Sequence, residues 1–99
     1  MSGADLDGVV HQPTRLRIMV LLSGLAAADF NFLLNTLGLT RGNLSAQSAK
    51  LEEAGYLEVT KSFVGRVPRT TYQLTPAGRE ALEGYWRAMD QIRGEAAGQ

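Results

Sequence analysis

Apolar positions recur at spacings of three and four along most of the chain and switch to alternation once, between Tyr56 and Leu74. Leu6, Val9 and Val10 make a short apolar face that predicts a brief helix over about residues 4–12, ending near Gln12 ahead of Pro13. Pro13 suits the first turn of the next helix. Leu16, Ile18, Met19, Val20, Leu21, Leu22 and Leu25 follow with few polar interruptions, which predicts a central helix apolar on nearly every side. Asp29 can cap a second helix whose Phe30, Leu33, Leu34 and Leu37 form one stripe, with Asn31 and Asn35 facing outward. Gly38 then sits where a helix ends in the left-handed conformation, Leu39 is the apolar plug, and Thr40 caps a third helix reaching about Ala54. Leu44, Ser48 and Leu51 share one face of that helix, and Gly55 stops it.

The alternating stretch reads as a hairpin. Leu57, Val59 and Phe63 share a parity, Gly65 to Arg69 make a turn, and Thr70 to Leu74 return with Tyr72 and Leu74 on one face. Thr75 and Pro76 open a last helix to about Arg93, in which Leu82, Tyr85, Met89 and Ile92 form a seam broadened by Trp86. Met1 to Ala4 and Gly94 to Gln99 are expected to fray. Helix, helix, tight turn, helix, two-stranded hairpin and helix, in that order, predict a mainly α fold with a β-hairpin wing (α+β), a winged helix-turn-helix. The 99 residues suit a single domain over 1–99.

A helix that reads base edges must fit the major groove and carry polar side chains near its N-terminal end. Thr40, Arg41, Asn43, Ser45, Ala46 and Gln47 meet that need in the third helix, with Lys50 a turn further on. Arg41, Asn43 and Gln47 are the candidates for base contact, since arginine pairs with guanine and an amide with adenine. Lys61 on the hairpin stem and Arg66 and Arg69 near its tip are candidates to position the chain on phosphates. Basic hairpin tips also serve solubility alone, and only the company of the helix pair gives this one a functional meaning.

Formal net charge is zero, which by itself counts against a nucleic-acid partner. Distribution changes that picture: from Thr40 to Lys50 and from Thr60 to Tyr72 every charged residue is positive, and the acids collect elsewhere. Cysteine is absent, which excludes disulfides, thiolate metal sites and cysteine nucleophiles. The single histidine, His11, makes no metal site and reads as a residue that merely precedes a helix. No metal, cofactor or catalytic residue is expected: Ser45 and Ser62 have no histidine nearby, Glu52 and Glu53 diverge around their helix, and no phosphate-cradling loop is present. No apolar run approaches a membrane span and Met1 to Gly8 do not resemble a signal peptide, so a cytoplasmic protein is expected.

From His11 to about Tyr85 the chain resembles the compact one-domain winged-helix regulators related to the MarR and ArsR groups. The matching residues are His11, Pro13, Arg15, Arg17, Ile18 and Leu21; Thr40, Gly42, Asn43, Leu44 and Ser45; and Leu51, Glu52, Ala54, Gly55 and Tyr56. Lys61, Phe63, Gly65, Arg66, Pro68 and Thr70 continue the match, and Leu74, Thr75, Gly78 and Arg79 close it. Gln47 and Ser48 stand where the family usually has His-Leu, so the buried stripe is thinner there and sequence preference differs. The metal ligands of the ArsR type are missing. The resemblance implies a sequence-specific DNA-binding transcriptional regulator, a repressor, that binds an inverted repeat of double-stranded DNA as a homodimer. It implies a dimer interface on the terminal helices, with Leu6, Val9, Val10, Leu82, Tyr85, Trp86, Met89 and Ile92 as candidates, part of which must also serve the chain's own core. It leaves room for a small-molecule effector near Tyr85 and Trp86, the alternative being that protein level alone sets occupancy. A winged-helix protein-interaction module without DNA binding is the competing reading, and zero net charge is its support.

Overall fold

The computed structural model describes residues 5–98, so the fraying expected of Met1 to Ala4 and of Gln99 lies outside it. Helix α1 spans Pro13–Ser23, strand β1 Ala28–Asp29, helix α2 Phe30–Leu37, helix α3 Arg41–Glu53, strands β2 and β3 Leu57–Val64 and Val67–Leu74, and helix α4 Pro76–Ala97. The strands form one antiparallel sheet in the order β1, β3, β2. The predicted winged helix-turn-helix is the observed architecture.

Side chains of Ile18, Met19 and Leu22 from α1, Leu33 from α2, and Leu44 and Leu51 from α3 are fully buried against Leu57, Tyr72 and Leu74 at the base of the hairpin. Each contributes about 1.5–3 kcal/mol by leaving water, and together they fix the three helices against the sheet. The central helix is less enclosed than its composition predicts: Leu16 and Leu21 are half-buried and Val20 is exposed.

Among the described residues no helix forms before Pro13, which corrects the helix predicted over 4–12 from residue 5 onward. The Asp7 carboxylate accepts hydrogen bonds from the backbone N–H groups of Val9 and Val10, at 2.8 and 3.4 Å, and so offers the chain a turn in place of a helix. A segment this short has too few hydrogen bonds to offset helix nucleation. Val10 is nonetheless fully buried, and the Gln12 side chain caps α1 by accepting from the Arg15 N–H. At the other end α4 runs on through the Gly94 to Ala97 stretch expected to fray, where glutamate and alanines favour helix.

Two further differences concern the sheet. Strand β1 was not predicted, because two residues carry no alternation; it pairs Ala28 with Tyr72 and Asp29 with Thr71. The hairpin turn is two residues long, not five, since Val64 pairs with Val67 and Phe63 with Pro68. Gly65 has φ of 64° and no other residue type has a positive φ among the described residues, the pattern of a type II′ turn with glycine first. Counting from the closing pair, Phe63 and Pro68 face each other without ladder hydrogen bonds, so the N–H that proline lacks belongs on the open edge.

Candidate nucleic-acid interface

The joint between α2 and α3 is built by three consecutive residues. Gly38 adopts φ 65° and, with Leu39, donates its N–H to the Leu34 carbonyl, ending α2. The Thr40 hydroxyl then accepts from the Asn43 N–H at 3.1 Å and starts α3. With Leu44, Ser48 and Leu51 turned inward, α3 presents Gly42, Ala46 and Ala49 on the opposite side, flanked by Arg41 and Ser45 on one edge and Asn43 and Lys50 on the other, all exposed. Small residues along the outermost line let the helix backbone come close to whatever it meets.

Register puts Leu57, Val59, Lys61 and Phe63 on the same face as Leu74, Tyr72, Thr70 and Pro68. The base of that face packs into the core; its outer half extends past it and meets α3. One groove is lined by Arg41 with Asp29, Phe30, Pro68, Arg69 and Thr70, and a second by Ser45, Ser48 and Ala49 with Lys61, Thr70 and Tyr72. Candidate residues from the third helix and from the wing thus share two adjoining grooves on one side of the molecule.

Individually the candidates are held in different ways. Thr40 spends its hydroxyl on the cap. The Arg41 guanidinium lies 5.6 Å from the centre of the Phe30 ring. Gln47 is half-buried, accepts from Arg15 at 2.8 Å and donates to Asn43 at 3.4 Å. Arg69 pairs with Asp29 at 3.6 Å, a contact half open to solvent. Among the described residues the side chains of Lys50, Lys61 and Arg66 carry no hydrogen bond or ion pair.

Four participants were missed by sequence reasoning. Arg15 reaches the carbonyls of Val9 and Gly8 as well as Gln47. A cation on a largely apolar helix must find a polar partner, and that was the available signal. Asp29 had been read only as a cap and Phe30 only as core. Ser48, expected to thin the buried stripe, is the one buried polar side chain among the described residues; it donates to the Ser45 carbonyl and faces Tyr72 across the second groove. Burial and the nearby Glu52 push the Tyr72 hydroxyl above its ordinary value, and the Ser48 hydroxyl partly opposes them.

The terminal-helix candidates divide. Val10, Leu82 and Tyr85 are buried within the chain's own core, which corrects their assignment to an interface, and Leu6 and Val9 are half-buried against that core. The apolar seam of α4, expected to serve the chain's own core in part, divides within the helix: Leu82, Tyr85 and Ala88 turn inward while Trp86, Met89 and Ile92 remain 45, 39 and 41% exposed. His11, expected merely to precede a helix, shares a 2.9 Å hydrogen bond between its Nδ1 and the Tyr85 hydroxyl, tying the N-terminal turn to α4. Leu16, Val20, Leu21, Leu37 and Trp86 line an open apolar groove between α1, α2 and α4. Among the described residues no three His, Asp or Glu side chains gather as a metal site, and no helix is long and apolar enough to cross a membrane.

Residues 14–93 match the model of the winged helix DNA-binding domain family. The chain is 41% identical over 78 residues to an uncharacterized protein of Methanocaldococcus jannaschii, covering 78% of this chain and 84% of that protein. Among solved structures it is similar to a transcriptional regulator homologue from Pyrococcus horikoshii OT3, with a TM-score of 0.77 and 30% identity over 91% of this chain and 86% of the other. A possible transcriptional regulator for arsenical resistance superposes with a TM-score of 0.64 at 28% identity, covering 90 and 91% of the two chains. The family and the fold are those of transcriptional regulators, not enzymes. On the match over residues 14–93 and on its fold, the chain belongs to the winged helix DNA-binding domain family.

Proposed function

We propose that the chain is a sequence-specific repressor of transcription in the cytoplasm, which binds an inverted-repeat operator in double-stranded DNA as a homodimer. The observation that carries this reading is the pair of adjoining grooves in which α3 and the wing meet, lined by Arg41, Arg69, Ser45 and Lys61. Arg41, Asn43, Ser45 and Ala46 contact bases or the groove wall, with Gln47 behind them and Thr40 holding the start of the helix. Lys50, Lys61, Arg66 and Arg69 meet phosphates, which supply affinity and its salt dependence.

Dimerisation is supported by apolar surface that a monomer leaves in water. Trp86, Met89, Ile92 and Val20 are each about two-fifths exposed, and α4 carries the first three along a molecule measuring 60 × 25 × 21 Å. A two-fold pairing through α4 presents two reading helices and calls for half-sites about 10 base pairs apart.

Selection of bound fragments from a random DNA pool tests this directly, followed by titration of the enriched sequence at several salt concentrations. An enriched palindrome, bound with affinity that falls steeply as salt rises, is the expected result. Arg66→Ala should weaken binding to all sequences alike and flatten the salt slope. Absence of any salt-sensitive binding, together with a stable hetero-complex, would establish the protein-interaction reading in its place.

A further inference from the structure

Resting on the DNA-binding reading above, we propose that Gln47 decides which hydrogen-bonding edge Asn43 offers to a base, so that α3 prefers guanine or thymine over adenine opposite Asn43. Gln47 is then a positioning residue, acting on DNA through its neighbour.

Arg15 comes first in the chain of contacts. Its Nε donates to the Val9 carbonyl at 2.6 Å and its Nη2 to the Gly8 carbonyl at 3.3 Å, so the guanidinium is fixed by backbone and cannot swing away cheaply. A guanidinium only donates, and the Gln47 atom 2.8 Å from Nη1 must therefore be Oε1. That leaves the Gln47 NH2 group at the other end of the amide, 3.4 Å from Asn43. Facing a donor, Asn43 must turn its Oδ1 inward, and its NH2 group is the part that remains for a partner outside. Asn43 is exposed on the edge of α3, one turn from the capped N-terminus, where a base edge would lie.

An outward NH2 group leads with donors, while the Oδ1 on the same amide is held toward Gln47. In the major groove guanine offers two acceptors, N7 and O6, and thymine offers O4, while the paired contact to adenine requires Oδ1 to accept from N6. Adenine at that position is disfavoured because satisfying it means turning the Asn43 amide and breaking the link to Gln47.

The parent chain, Gln47→Glu and Asn43→Ala are each put through selection from the same random DNA pool, Asn43→Ala serving to identify the base position that Asn43 reads. A glutamate keeps the bond from Arg15 but presents oxygen to Asn43, whose amide must turn and expose Oδ1. Enrichment at that position should pass from guanine or thymine in the parent to adenine or cytosine in Gln47→Glu, with a change in relative preference on the order of fivefold. Gln47→Met, which has no amide to direct Asn43, should lose the discrimination, and it provides the same reading if Gln47→Glu does not fold. Adenine enriched by the parent, or one preference shared by the parent and both variants, overturns the inference while leaving DNA binding intact. Failure of the parent to bind any DNA in a salt-dependent way overturns the functional reading itself, and this inference with it.

Discussion

Asp29→Asn should strengthen DNA binding and leave the fold unchanged. Asp29 performs three tasks at once: its backbone pairs with Thr71, its Oδ1 accepts from the Phe32 N–H at 2.8 Å, and its Oδ2 sits 3.6 Å from Arg69. Asparagine keeps the first two, being as good an N-cap as aspartate. It removes the third together with a negative charge that lines the same groove as Arg41. The ion pair is 51 and 35% exposed on its two sides, so its loss should cost the fold less than about 1 kcal/mol.

For DNA the sign reverses, because Arg69 exchanges a carboxylate partner for a phosphate and a like charge leaves the interface. If Asp29 fully occupies Arg69 in the parent, one extra phosphate contact per protomer steepens the slope of log affinity against log salt by about 0.9, or about 1.8 for a dimer. Between about 200 and 50 mM salt that amounts to an additional gain of roughly 3.5-fold per protomer and roughly 12-fold per dimer. Fluorescence anisotropy on a labelled operator, repeated across that range, measures the slope, and a thermal melt checks the fold. An Asp29→Asn slope equal to that of the parent would refute the reasoning, since Arg69 would then have no phosphate to meet. Loss of several degrees in the melt would show instead that the charge itself is needed at the start of α2.

Three other outcomes are expected. A Cβ at Gly78 would lie 2.2 Å from the Tyr56 carbonyl oxygen and 3.0 and 3.1 Å from the Tyr56 carbonyl carbon and Cα, so Gly78→Ala must push α4 off the hairpin base and should lose at least about 2 kcal/mol by denaturant titration; Gly84→Ala, whose new atom meets only the end of Arg87, should be neutral or stabilising by up to about 1 kcal/mol. Burial would raise the Asp7 carboxyl, but hydrogen bonds from the Tyr56 hydroxyl and from the Val9 and Val10 N–H groups outweigh it and hold the carboxyl below its ordinary 3.8, so the stability it adds is complete above that value and lost as pH falls through the lower folded one. The bond to Asp7, burial and the Asp7 charge raise Tyr56 above 10.0, so its share is present below that value and lost as pH climbs through the higher folded one; Asp7→Asn should flatten the acid limb of a stability-against-pH curve. Met89→Glu with Ile92→Glu should convert a dimer to monomers in sedimentation while barely moving the melt of the monomer fold, since both side chains are about two-fifths exposed, and operator affinity should fall with it.

Legibility in the sequence followed how local each cause was. The α2–α3 joint was readable because Gly38, Leu39 and Thr40 each act on residues within five positions. The core stripe of α3 and the pairing face of the hairpin followed from period alone. What escaped depends on contacts far along the chain: β1 exists because Ala28 and Asp29 find the edge of β3, more than forty residues away. The first turns misled because Leu6, Val9 and Val10 have helical spacing, whereas Asp7 decides the backbone there. The α4 seam was legible only as a whole, since spacing marks an apolar side of a helix but does not say which of its residues the chain's own core takes. Only Tyr85 meeting His11, and Trp86 left outside, make that division visible.

Zero net charge lost its weight as an argument against a polyanion once each cation had a place. The chain has ten lysines and arginines. Arg15, Arg17 and Arg79 are committed to backbone carbonyls: Arg17 to Leu37 at the end of α2, Arg79 to Ser23 and Leu25 at the end of α1, and Arg15 to the N-terminal turn. Arg87 and Arg93 are paired with Glu80 and Asp90 along α4. The remaining five, Arg41, Lys50, Lys61, Arg66 and Arg69, all belong to α3 or the wing, and Asp29 is the one acid in ion-pair contact with any of them among the described residues. A sum over the sequence counts scaffold cations and interface cations alike, and so cancels a local field against acids of which, among the described residues, only Asp29 and Glu52 line the two grooves. The quantity that bears on DNA is the charge left unpaired beside the reading helix, and removing Asp29 alters that quantity by one while the total charge of the chain changes by the same amount as for any surface aspartate. Asp5→Asn, outside the grooves, therefore isolates the argument: it raises net charge equally and should leave the salt slope near that of the parent.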